Sequence, residues 1–144
     1  MTAAHPSGTP PMPNRTLWLH ALAMLAGVSV VHGYMVFAEA SRITVMSALL
    51  LAGVAVYLAG FQILQAKALR QRRYGTYSGH LIAYLIVNGS YWLHAAVLVA
   101  TSNSAVLDST WQGALFGMSG FWGVGLAFHT LGAVMSRGFE DANV

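Results

Sequence analysis

The chain has 144 residues, 56% of them hydrophobic and only 8% charged, against about a quarter charged in soluble domains; this is the composition of a single membrane domain. It contains no cysteine, which excludes disulfides, thiolate metal sites, CxxC redox motifs and c-type haem attachment, and leaves His, Met, Tyr and backbone to hold any cofactor. The formal net charge of +3 is concentrated in one short loop, so it reads as a topology signal and makes no case for a nucleic-acid partner.

All four prolines, Pro6, Pro10, Pro11 and Pro13, stand in a small, polar N-terminal stretch that cannot build a core. Residues 1–15 are therefore expected to be a disordered tail. The stretch lacks the basic segment and following apolar run of a signal peptide, so the first apolar segment is expected to persist in the mature chain. Four runs then reach the roughly 20 apolar residues needed to cross a bilayer: 16–38, 43–65, 79–101 and 111–136. A helix satisfies its own backbone in lipid, so an all-α transmembrane domain over 16–138 follows, with a short C-terminal tail at 139–144. The connections at 39–42, 66–78 and 102–110 are short. Short connections make neighbours antiparallel and predict an up-down-up-down four-helix bundle.

Arg15, Lys67, Arg70, Arg72, Arg73 and Arg137 fall at one end of this bundle and only Arg42 at the other. The bias puts both termini in the cytoplasm, and the expected location is a bacterial inner membrane. Trp18, Tyr77 and Trp111 stand near helix ends, where interfacial aromatics belong. The run Arg70–Arg73 serves as a topology determinant, with anionic lipid headgroups as its alternative use.

Ionisable side chains inside a bilayer are expensive and mark candidate sites. His32 in the first helix and His94 in the third lie at matching depth near the outer ends. His20 in the first, His80 at the start of the third and His129 in the fourth make an inner layer, roughly 18 to 21 Å away at 1.5 Å per residue. At about 100° per residue, His80 and His94 return to within about 40° of one face, whereas His20 and His32 are about 120° apart.

Two histidines 14 residues apart on one transmembrane helix resemble the ligand spacing of membrane b-type cytochromes, whose four-helix bundles stack two haems between histidines of paired helices. The resemblance covers His80, His94 and the bundle architecture. It implies haem b held by His32 with His94, and a second haem held by His80 or His20 with His129. The first helix departs from the family's long spacing, which makes His32 and His94 the firmer pair of haem or metal ligands. Small residues support a planar group only in part, because Gly33, Gly125, Gly132, Gly53 and Gly60 also suit close helix packing.

Asn88 occupies the middle of the third helix, where an interhelical hydrogen bond is its expected role. A pocket lined by Asn88 with Tyr84 and Tyr91, and by Tyr57 on the second helix, is the functional alternative. No Asp, Glu, Lys or Arg lies in the centre of a span, which argues against a proton-coupled transporter. Three functions fit: electron transfer through bis-His haem b; a cofactor-free accessory subunit of a respiratory or photosynthetic membrane complex; and a haem-dependent membrane isomerase, since small epoxide-opening isomerases look similar in size and span count. The expected partners are the lipid bilayer and other membrane subunits or further copies of the chain.

Overall fold

The computed structural model describes residues 9–135, and among these residues the chain is helical with no strand. Four helices are long and apolar enough to cross a membrane: Asn14–Ala38, Val45–Leu64, Gly75–Ala100 and Ser109–Met135. They are referred to below as the first to fourth long helices. The N-terminal tail up to residue 8, and residues 136–144 with Arg137, lie outside the described part.

Each boundary has a local cause. The first helix begins directly after Pro13, where a missing N–H costs nothing. The second opens on a capping box in which Ser47 N–H donates to Thr44 Oγ1 at 3.3 Å and Thr44 N–H donates to Ser47 Oγ at 2.8 Å. The link to the third helix contains a short helix, Ala66–Arg70, in a segment read from the sequence as plain connection. Tyr74 then takes a left-handed backbone (φ 56°), and a Cβ on Gly75 would collide with the Leu69 carbonyl. Only glycine fits that close approach. The third helix ends with Ser102 left-handed (φ 53°) and Asn103 N–H donating to Leu98 O at 2.8 Å, the Schellman arrangement that satisfies an orphan carbonyl.

The fourth long helix is composite: an α-helical turn Ser109–Gln112, a π-helical stretch Gly113–Met118, and α-helix again over Ser119–Met135. Wider turns of this kind locally relax the i to i−4 ladder and occur often at functional sites.

Packing centres on the third long helix, which lies against the first on one side and the fourth on the other, while the second packs chiefly on the first. The first helix buries Met24, Val28, Val31 and Met35, and the third buries Ala83, Val87, Tyr91, Ala95 and Leu98. Both sets follow the three-and-four spacing that lines one helical face. The fourth helix adds Trp111, whose indole N–H donates to Ser41 O at 2.9 Å, and Leu115. That bond puts the start of the fourth helix beside the turn that leaves the first.

At the other end a smaller cluster joins Met12, Leu17 and Leu69. Met12 N–H donates to Ala68 O at 3.1 Å, and its carbonyl accepts from Arg72 at 3.0 Å. Within the stretch read as a structureless tail, Met12 is thus buried and hydrogen-bonded. An isolated apolar side chain among prolines gives no periodic signal, which is why sequence pattern passes over it. Lys67, Arg70, Arg72 and Arg73 crowd the same end, called the basic end below.

Candidate functional site

The long helices bring the in-membrane histidines into two couples and leave one apart. His32 and His94 meet between the first and third helices, with Nδ1 to Nδ1 at 2.9 Å and the rings at 76°. His32 Nε2 lies 2.9 Å from Ser90 Oγ, and Ser90 donates its hydroxyl proton to Val87 O at 2.7 Å. The proton order follows from that last bond. With its own proton committed, Ser90 Oγ accepts from His32 Nε2–H. His32 Nδ1 is then the acceptor for His94 Nδ1–H, which leaves the His32 ring neutral. His94 Nε2 makes no hydrogen bond among the described residues. The couple is walled by buried aromatics: Tyr91 stands 4.7 Å from the His32 ring and Trp111 stands 5.0 Å from the His94 ring, both edge-on.

His80 and His129 meet between the third and fourth helices with rings parallel within 9° and centroids 4.6 Å apart. His20 does not join them. It is buried between the first and second helices, stacked on Phe61 at 3.8 Å and bonded through Nδ1 to Tyr57 Oη at 3.2 Å. Its Nε2 is buried without a partner.

Asn88 ties the third helix to the fourth. Its Oδ1 accepts from Ser119 Oγ at 2.8 Å and its Nδ2 donates to Tyr84 O at 3.1 Å. Tyr84 packs on the fourth helix too, edge-on to Trp122 and against Gly123, where an added Cβ would come within 3.3 Å of the Tyr84 hydroxyl. The four pocket candidates are dispersed over three helix contacts. Asn88 and Tyr84 bind the fourth helix, Tyr91 lies under His32 and Trp111, and Tyr57 serves His20 on a different flank. Ser90, Ser119, Phe61 and Trp111 complete these contacts, and sequence spacing singled out none of them for that purpose.

An iron between two axial imidazoles needs its ligand nitrogens on opposite faces, each at about the 2.0–2.1 Å of a metal–imidazole bond, hence about 4 Å apart. His32 and His94 are in direct hydrogen bond at 2.9 Å, too close for a bis-His haem. Parallel rings such as His80 and His129 direct their in-plane lone pairs alongside one another rather than at a common centre. The gap where all four long helices meet, bounded by Met24, Val54, Val87 and Trp122 among others, holds about 160 Å³ and is wholly apolar, below the roughly 300 Å³ at which ligand pockets begin. Among the described residues no three or more His, Asp or Glu side chains gather as a metal site. As placed, neither couple holds its ring nitrogens in the geometry of a bis-His haem.

Comparison of the chain with protein-family models, with curated proteins and with solved structures finds no match.

Proposed function

We propose that the chain is a four-span integral membrane subunit that works by lateral association, its in-membrane histidines acting as interhelical couplers and not as a pair of haem ligands. The carrying observation is that the polar side chains of the long helices engage each other across helix boundaries. His32 and Ser90 join the first helix to the third, Asn88 and Ser119 the third to the fourth, and Tyr57 and His20 the second to the first. In lipid such bonds hold helices together where hydrophobic burial cannot. The up-down-up-down arrangement with both termini in the cytoplasm of a bacterial inner membrane belongs to this reading and rests on the Lys and Arg bias.

The face for association is the fourth long helix. Its Ser119–Met135 portion buries no residue, and Gly113, Gly117, Gly120 and Gly125 all look onto open space. Lipid gains nothing from glycine, whereas a second helix can approach it closely.

A second reading has one observation of its own. His94 donates Nδ1–H to a fixed acceptor and keeps Nε2 out of any hydrogen bond among the described residues, the arrangement of a metal-ligating histidine with its orienting partner. A haem held by His94 alone, with an open coordination position, is the form of haem chemistry these hydrogen bonds permit. The absorption spectrum of the detergent-purified protein tests both. The subunit reading expects no b-type absorption at protein stoichiometry. A stoichiometric five-coordinate haem lost in His94→Ala would replace it with the second reading, and a six-coordinate haem lost in both His32→Ala and His94→Ala would overturn both.

A further inference from the structure

A cavity of about 590 Å³ stands at the basic end, between the start of the third long helix and the end of the fourth. Arg70, Arg72, Tyr74 and Thr76 line it from the linker side, and Phe128 and His129 from the fourth helix. Its two ends differ in chemistry. On the fourth-helix side Phe128 is exposed beside the exposed Leu131 of the same helix, and on the linker side two arginines belong to the lining. Of the four acidic residues in the chain, Glu39 and Asp108 belong to the opposite end, and Glu140 and Asp141 lie outside the described residues. Among the described residues, therefore, no carboxylate stands near these arginines. Arg70 is exposed, and Arg72 spends one donor on the Met12 carbonyl while keeping the rest of its five-donor fork. The first turn of the third helix, which forms part of the wall, carries no acidic residue and no side-chain cap, so the helix dipole adds to the positive field.

We propose that this cavity is a binding site for one anionic phospholipid, the phosphate held by Arg70 and Arg72 and the acyl chains running down the fourth helix past Phe128. The cavity lies at the end of spans read as crossing the bilayer, at headgroup level. Its volume falls within the roughly 300–1,000 Å³ range of small-molecule sites. A basic cluster on a flat surface attracts anionic lipid diffusely; a walled site with an apolar exit selects a single molecule whose charge and chains are covalently joined. A free phosphate would use the same guanidinium groups and leave the apolar side empty.

Native mass spectrometry of the full chain, released from micelles doped with equal phosphatidylglycerol and phosphatidylcholine, tests the site. The expected result is one phosphatidylglycerol retained per chain in preference to phosphatidylcholine. Retention falls about fivefold in Arg70→Gln, the loss of one interfacial arginine. It falls also in Thr76→Trp, which fills the cavity and keeps every charge, and is unchanged in Lys67→Gln, a neighbouring charge outside the cavity lining. Circular dichroism at the wild-type helix content qualifies each variant. Undiminished retention in a folded Thr76→Trp, or an equal fall in Lys67→Gln, overturns the proposal in favour of diffuse attraction. Binding of inorganic phosphate as tightly as phosphatidylglycerol overturns the lipid assignment in favour of a free anion.

Discussion

At the residue scale the decisive detail is a serine. Ser90 donates to Val87 O, and this commitment orders the protons of His32 and His94 as a one-way chain. An imidazole in lipid without a partner carries a desolvation cost. The chain removes that cost for three of the four ring nitrogens and fixes His94 Nε2 as the one left over. The energetic value is that of an interhelical hydrogen bond in a membrane, a coupling of about 0.6–1.7 kcal/mol. A double-mutant cycle on His32→Leu and His94→Leu, read by reversible unfolding in mixed micelles, is expected to return a coupling of that size. Additive losses would mean that the two rings do not hold each other. Depth along the helices places His32 level with His94 from sequence alone, and helical phase separates His20 from His32. What sequence spacing does not carry is the partner. Tyr57 and Phe61 reach His20 across a helix boundary, and the sequence separation of 37 between His20 and Tyr57 spans a turn whose angle no periodicity encodes.

At the scale of elements, the spans are legible because a membrane helix needs length and apolarity and little else. The edges shift where polar residues still belong to the helix. The third long helix starts at Gly75 and not at Gly79, since Thr76, Tyr77 and Ser78 extend it at the interface, where hydropathy falls but backbone pairing continues. The π-helical stretch Gly113–Met118 leaves no mark in composition that distinguishes it from α-helix. The fourth helix also has a titratable start. Thr110 donates its backbone N–H and its hydroxyl to Asp108 Oδ1, each at 2.8 Å, and these bonds hold the carboxyl below its ordinary value of 3.8. A carboxyl depressed on folding contributes stability above its unfolded pKa, and that contribution is lost as pH falls through the folded value. Asp108→Ala is therefore expected to be less stable than wild type at neutral pH, with the difference closing below pH 3.8. Asp108→Asn keeps a capping oxygen and should show no such pH dependence. A deficit in Asp108→Ala that persists unchanged in acid would remove the cap from the account.

For the whole molecule, the order of packing matters more than the number of spans. The third helix sits between the first and fourth, and the second leans on the first, so the fourth packs chiefly on the third and keeps a broad unshared face. Sequence supports four spans but not this order, because short connections fix which helices follow one another and leave open which ones touch. The basic end adds the Met12 clamp and the arginine-rimmed cavity, while the opposite end is closed by Trp111 on Ser41. The resulting molecule is tied internally by polar couples and is least buried along its fourth and second long helices, both of which carry glycines with open space beside them; the sideways docking proposed above is assigned to the fourth. The absence of native cysteine makes this directly measurable: single cysteines at Phe121 and Phe128 on the open helix, and at Leu19 and Leu93 on exposed positions elsewhere, are labelled with a maleimide benzophenone and photolysed in native membranes. Lateral association through the fourth helix predicts a discrete cross-linked product from Phe121→Cys and Phe128→Cys and none from Leu19→Cys or Leu93→Cys. Uncross-linked chain at all four positions, or equal products from all four, would contradict it.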